Sequence, residues 1–293
     1  MSEYNGYLVV NKKRGTGSTD YVRIVKKHLN QKKVGHSGTL DLLARGVLVI
    51  CVGKATKMIE YLQENKKTYI ATIKFGEQTD TLDTEGSIIN KTDKKVYENE
   101  LLDIIPNFIG DITQIPPMYS ALKLNGKRLY DLARKGITVE RKPRNIKIYS
   151  LELINFDFDK QECVIKTTVS AGTYIRTLID DLGIALNNFA HMTDLVRTQC
   201  SGFTIDDSFT IEDENSEGVI NKIIPLEEVL FDFNKLNVND EIVKNLKNGM
   251  TCKINSDVKD DIYLVLSKDK VLGVANVFET SKGKMLKLLK HLY

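Results

Sequence analysis

Residues 35–46 read Gly35-His36-Ser37-Gly38-Thr39-Leu40-Asp41-Leu42-Leu43-Ala44-Arg45-Gly46, and an apolar run continues from there to Gly53. Three glycines in twelve residues imply a loop of unusual backbone geometry or one that closely approaches a ligand. Asp41 lies beside Leu42, Leu43 and Ala44. An acid among apolar neighbours costs solvation free energy unless it finds a partner. Acids in such loops ordinarily form turns or caps, so Asp41 alone specifies no chemistry. The following Gly46…Gly53-Lys54 superficially matches a phosphate-binding loop, but the spacing fails. Six residues separate the glycines where four are required, and Ala55 follows Lys54 where Ser or Thr is required. The run between the glycines reads as a strand, and an NTPase is excluded.

Outward from this loop the chain alternates strands and helices. Tyr7–Val10 and Leu48–Val52 are apolar strand candidates, and Thr68–Phe75 is a β-branched and aromatic one. Ser18 or Thr19 is placed to cap a helix running to about Asn30, with Val22, Val25 and Leu29 on one face. Lys54–Glu64 reads as a helix with Met58, Ile59 and Leu62 inward, and 76–86 as a polar, acid-rich loop. Leu129–Lys135 is a short helix closed by Gly136. Residues 145–156 and 163–170 are strands. Ile175, Leu178, Ile179, Leu182 and Leu186 mark an amphipathic helix. The acidic stretch 206–217 is a loop or boundary. Beyond about Lys235 come short strands over 262–267, 271–278 and 285–289, separated by Lys-Asp and Lys-Gly turns. The expectation is an α+β fold with a small β-rich C-terminal module.

The 293 residues carry 42 Lys+Arg and 39 Asp+Glu, but the net +3 is unevenly spread. Residues 1–67 hold 13 bases and 5 acids, residues 123–147 hold 9 and 2, and residues 206–228 hold 1 and 8. Two basic segments on one face would suit a polyanion. The composition excludes collagenous, disordered and disulfide-scaffold chains. No apolar run is long enough to span a bilayer, and no basic region followed by an apolar run opens the chain. The four cysteines, Cys51, Cys163, Cys200 and Cys252, form no Cys-x-x-Cys pair. Reduced thiols in a cytoplasmic protein without a zinc site are expected.

Two further segments carry signals. Gly172-Thr173-Tyr174-Ile175-Arg176 spans a strand-to-helix junction and puts Arg176 in the first helical turn. A cation is unfavourable at that positive dipole end, so a carboxylate partner is expected. Tyr119-Ser120-Ala121-Leu122-Lys123, with Gly126-Lys127-Arg128-Leu129-Tyr130, interleaves aromatics and bases. Surfaces that stack nucleobases and pair phosphates do the same.

Taken together, these segments resemble the bacterial tRNA pseudouridine-55 synthases, the TruB-type family. The matching motifs are His36-Ser37-Gly38-Thr39-Leu40-Asp41 with Gly46-Val47-Leu48, Gly53-Lys54-Ala55-Thr56-Lys57, Gly76-Glu77-Gln78-Thr79-Asp80-Thr81, Tyr119–Lys123 and Gly172–Thr177. They stand in register along roughly residues 7–200. The resemblance implies a pseudouridine synthase catalytic domain over 1–230, with a central, mostly antiparallel sheet. It implies a PUA-like RNA-binding module over 235–293, isomerisation of uridine 55 in the tRNA T loop, and the T arm as partner. Residue by residue, Asp41 matches the catalytic aspartate, Arg176 its pairing arginine and Tyr69 the active-site tyrosine. Tyr174 and Leu195 match pocket residues, and His36 matches a histidine that helps displace the target from its stack. Lys12 matches a lysine of the N-terminal motif, and Lys12, Lys57, Lys127 and Arg128 fall among the expected substrate-binding bases. Three positions depart from the family pattern: Leu42 and Lys13 replace prolines, and Arg45 replaces a threonine.

The reaction breaks N1–C1′ and joins C5 to C1′ with no net redox change, so no cofactor or metal is expected. Asp41 would act either as nucleophile or as base, and must be ionised in both cases, a form that Arg176 favours. The target must be flipped out, at a cost of a few kcal/mol. The rival reading is a non-catalytic RNA-binding or tRNA-folding protein on the same scaffold, which would have no need of Asp41, Tyr69 and Arg176 together. No protein partner is implied, and a monomer is the default expectation.

Overall fold

The structure is a computed structural model that describes residues 4–63, 66–228, 233–268 and 270–293. Glu64 and Asp269, which the sequence places at a helix end and in a turn, lie outside them. The main sheet is built from β1 (Gly6–Lys12), β2 (Val34–His36), β3 (Arg45–Val52), β4 (Lys67–Phe75), β5 (Gly110–Gln114), β6 (Arg144–Asp157), β7 (Glu162–Val169), β8 (Ala190–Cys200) and β9 (Phe203–Thr204). Along its width the order is β1-β3-β8-β4-β7-β6-β5, with β2 on β3 and β9 on β8. The pairings are antiparallel except β3 with β8, where Arg45 and Gly46 lie opposite Val196 and Arg197 in parallel.

That exception depends on Gly46. Its φ is +104°, and a Cβ there would lie 2.3 Å from the Arg197 carbonyl oxygen, so only glycine lets the strands meet. β3 is apolar without alternation because both its faces are covered. Leu48, Ile50 and Val52 pack with Leu8 and Val10 against Tyr21, Val22, Val25 and Leu29 of helix α1 (Ser18–Leu29). Val47, Val49 and Cys51 pack on the other side with Tyr7 and Val9. The face of β4 that carries Tyr69, Ala71, Ile73 and Phe75 is covered by Leu178, Ile179 and Leu182 of α2 (Ile175–Ala185).

Several expectations change. Ser18 does not cap α1. Gly17 holds the N-cap position, the Asp20 carboxylate accepts from its N–H, and the Ser18 hydroxyl turns to the Asp41 loop. The helix expected from Lys54 begins as a 3-10 turn, Gly53–Met58, and becomes α-helical only over Ile59–Gln63. The Thr56 hydroxyl donates to the Gly53 carbonyl three residues back. The acidic stretch 206–217 is no boundary, and with the residues to 228 it is part of the first unit. It runs back along β1, exchanging backbone hydrogen bonds between Phe209 and Val9 and Asn11 and between Ile224 and Tyr7, and it buries Ile211 and Val219 against α1. To the elements expected from sequence the structure adds β5 and β8, and also the helices Glu98–Ile104 and Asp240–Lys247.

The C-terminal strands Asp261–Ser267, Lys270–Thr280 and Gly283–His291 form a second sheet with Asn234–Asn237 and Cys252–Lys253. This sheet is docked on the first. Leu264, Val271, Val274 and Leu292 complete the apolar cluster of Tyr7, Val9, Val47 and Val49. Lys290 pairs with Glu60 at 2.6 Å across the same junction. Leu264→Ala should therefore cost the whole chain about 2–5 kcal/mol and lower one shared calorimetric transition, not that of a detached module.

Candidate active site

Asp41 sits where the Gly-rich loop turns between β2 and β3. Four contacts hold the loop from behind. The Ser18 hydroxyl both accepts from Leu40 N and donates to Leu40 O, the Gly15 N–H donates to Leu42 O at 2.7 Å, and the Asp41 carbonyl accepts from Ala44 N. The fourth is Lys12. Its side chain is fully buried, and its ammonium donates to the carbonyls of Ala44 (2.5 Å), Lys13 (3.1 Å) and Leu42 (3.5 Å). Burial pulls that amine down to about 8, and the nearby Asp41 carboxylate opposes the shift. Lys12 thus braces the loop, and it is not among the residues that line the cavity in front of it.

In front of the loop lies a cavity of about 810 Å³. Asp41, Tyr69, Arg176, His36, Tyr174, Leu195 and Arg128 all line it. Arg176 is the hub. Its guanidinium bonds Asp41 Oδ2 at 3.0 Å and Asp83 Oδ2 at 3.3 Å, and donates to the carbonyls of Thr81 and Tyr119, each at 2.9 Å. The two carboxylates and two carbonyls offset the helix-terminus penalty. Arg176 and Asp83 are both 6% exposed at the side chain, whereas Asp41 is 42% exposed. The buried pair is the anchor, and Asp41 is the member most exposed to the cavity.

Asp83 was not singled out from sequence. Its Oδ1 accepts from the Thr81 hydroxyl (2.6 Å) and the Glu85 N–H (3.1 Å), which leaves Oδ2 for the arginine. The preceding Leu82 stands at φ +62°, uncommon for a residue with a Cβ. Such strain is tolerated where surrounding contacts over-determine the turn.

Tyr69 lies on β4 with its hydroxyl pushed up by burial, an effect that Arg197 opposes, so it stays a neutral phenol. Arg197 is itself buried, its guanidinium spent on the carbonyls of Val47 (2.8 Å) and Gly38 (3.2 Å). Tyr174 is fixed through its backbone, since the Gln114 amide bonds both its N–H (2.8 Å) and its carbonyl (3.1 Å). Burial, with Arg197 next, lowers the His36 imidazole and favours its neutral form. Among the described residues its Nδ1 has no hydrogen-bond partner.

The cavity mouth is basic and aromatic. Lys123, Arg128, Tyr130 and Arg134 line it, with the guanidinium groups of Arg128 and Arg134 at 5.6 Å and 5.5 Å from the Tyr130 ring. Lys127 faces an adjoining hollow of about 610 Å³. Lys57 is apart from both, its amine donating to the His291 carbonyl at the junction with the second sheet. The positions that depart from the family pattern have local partners: Arg45 pairs with Asp194, and Lys13 with Glu212 at 3.6 Å. Leu42 is 48% exposed and uses its backbone carbonyl to tie the loop to Gly15.

The family described as "TruB family pseudouridylate synthase (N terminal domain)" matches residues 26–175, and "tRNA pseudouridylate synthase B C-terminal domain" matches 176–230. A solved Cbf5-Nop10-Gar1 complex superposes with a TM-score of 0.74 at 25% identity, over 98% of this chain and 85% of that one. Fold and site define the class, a pseudouridine synthase. A protein named tRNA pseudouridine synthase B from Clostridium kluyveri is 42% identical over 97% of this chain and 99% of its own length. One of the same name from Rickettsia bellii is 42% identical over 94% and 95%. The chain belongs to the TruB family of pseudouridylate synthases.

Two outcomes follow from the bracing of the site. Asp83→Asn removes charge from a buried pair, a change of the kind that costs about 3–5 kcal/mol when no other partner remains. With Asp41 still present, a smaller loss of thermal stability is expected, together with a fall in kcat of at least about tenfold, or 1.4 kcal/mol in barrier. Lys12→Met removes the donor from the loop carbonyl of Ala44 and one of the two donors to that of Leu42, and kcat should fall while the dissociation constant for RNA stays within about threefold, or 0.65 kcal/mol. A raised dissociation constant at unchanged kcat would return Lys12 to the substrate-contacting residues.

Proposed function

We propose that this chain isomerises uridine 55 of the tRNA T loop to pseudouridine, with Asp41 as the reacting carboxylate on a base flipped out of the loop. The observation that carries this is the half-exposed Asp41 carboxylate, held at 3.0 Å by a buried arginine inside a cavity that the neutral phenol of Tyr69 also lines. Arg176 holds the Asp41 carboxylate in a fixed orientation. Tyr69, Tyr174 and Leu195 enclose the base, and His36 takes its place beside the vacated stack. The unstacking cost of a few kcal/mol is offset by phosphate contacts at Lys123, Lys127, Arg128 and Arg134. The reaction breaks N1–C1′, joins C1′ to C5, releases the C5 proton to water and leaves N1 protonated in its place. Residues 1–230 serve as the catalytic domain, and residues 235–293 as a PUA-like module that adds affinity for the RNA.

The curated relatives are named for tRNA pseudouridine synthesis, which supports this substrate class. The test is tritium release from unmodified tRNA labelled at uridine C5. Pure protein should release one equivalent, and none when uridine 55 is replaced by cytidine. Asp41→Asn should abolish release with tRNA binding kept within several-fold. Because the buried Arg176–Asp83 pair survives that change, its stability should shift by less than about 0.5 kcal/mol. Turnover by that variant would remove Asp41 from the mechanism, and release from another uridine would overturn the position.

A further inference from the structure

Lys67 opens β4, two residues before Tyr69 and on the same face of the strand. It is 9% exposed and lines the same cavity as Asp41. Among the described residues no hydrogen-bond acceptor or carboxylate pairs with its ammonium. Its nitrogen and Nη1 of Arg197 converge over Gly38, each 3.7 Å from where a Cβ on that glycine would stand. Arg197 has no carboxylate partner among the described residues either. The cavity floor is therefore polarised. On one side Arg176 with Asp41 and Asp83 sums to one negative charge, and on the other Lys67 and Arg197 sum to two positive charges.

A buried cation without a counterion is costly, and burial lowers the proton affinity of Lys67, an effect that Cys200 opposes and Arg197 adds to. The groups facing it from β8 are Arg197 and the Cys200 thiol, which lies opposite it in register. The missing anion must come from the substrate. Phosphates have the exposed bases of the mouth to meet, whereas Lys67 lies on the floor beside the tyrosine that faces the base.

We infer that Lys67 is a further catalytic residue, whose ammonium donates to a carbonyl oxygen of the flipped uracil and holds the negative charge that develops there. This rests on the reading of the site given above. When N1–C1′ breaks, its electron pair goes to N1 and spreads onto O2 and O4. Addition of the aspartate at C6 would instead put the charge on O4. When N1–C1′ breaks first, the ring carries that negative charge until C5 bonds C1′, which consumes it; C5 then loses its proton to water and N1 takes one up. A donor preplaced at that oxygen acts on the charge as it forms.

The test uses the full chain, with Lys67→Met, which keeps length and loses charge, and Lys67→Arg, which restores charge. Single-turnover tritium release from tRNA is measured beside the dissociation constant and the melting temperature. Lys67→Met should lose at least about 100-fold in rate (2.7 kcal/mol in barrier), with the dissociation constant within about threefold. Lys67→Arg should recover to within about tenfold of wild type. If the Met variant does not fold, Lys67→Gln is judged by the same criteria. A neutral variant whose rate stays within about threefold of wild type would overturn the inference. So would a rate loss matched by an equal loss of affinity, which would make Lys67 a phosphate anchor. So would an Arg variant as slow as the Met variant, which would make the role structural. A wild-type chain that releases no tritium would instead overturn the reading of the site itself.

Discussion

The site depends on one buried guanidinium. Arg176 enters the first turn of its helix, where the backbone repels a cation, and is held there by Asp83, Asp41 and two backbone carbonyls. A buried ion pair adds little net stability, because desolvation consumes most of the Coulombic gain. Its effect here is positional. Asp83 has one oxygen committed to Thr81 and Glu85 and the other to the arginine, so the guanidinium plane is set before substrate arrives. Asp41 is thereby offered to the cavity as an oriented carboxylate.

The rest of the fold serves that placement from two directions. From below, β4 and β8 bring Tyr69 and Leu195 to the cavity, and the Arg197 guanidinium ties β8 to the loop through Gly38 and to β3 through Val47. From behind, Lys12 and Ser18 hold the loop backbone. Both are polar residues turned inward, and both satisfy loop groups that would otherwise be buried without partners. The acidic segment 206–228 closes over β1 and α1, with Glu212 accepting from the Tyr21 hydroxyl and pairing with Lys13. The negative stretch of the chain thus pairs with one base of the N-terminal region, and bases of the 123–147 segment line the cavity mouth.

The second sheet shares a core with the first. β3 has two apolar faces, α1 covers one, and the C-terminal strands cover the other with Leu264, Val271, Val274 and Leu292. A module that contributes to the burial of the catalytic sheet has its orientation set by that contact, so any RNA surface it carries stands at a fixed distance from Asp41.

The local signals were legible in the residues themselves. Period and punctuation marked β1, α1, β3, β4, β6, β7 and α2, and the motif set around Asp41, Tyr69 and Arg176 carried the family resemblance. The charge misplaced at a helix start called for a carboxylate partner. What remained hidden was non-local. β8 escaped because register shifts at Met192/Asp194 and Arg197/Gln199 break its alternation and because a buried arginine sits inside it. Asp83 looked like one more acid in a polar loop until the turn at Leu82 carried it to Arg176. Lys12 and Ser18 read as a substrate contact and a helix cap, since nothing local says that a polar side chain will turn inward to serve a loop some 20–30 residues away. Lys67 sat in plain view two residues from Tyr69, but only tertiary packing removed its solvent and set Arg197 beside it. Periodicity and turn chemistry act through neighbours along the chain and so are written in the sequence. Which buried polar group meets which partner depends on distances across the sheet, and only the folded structure decides those.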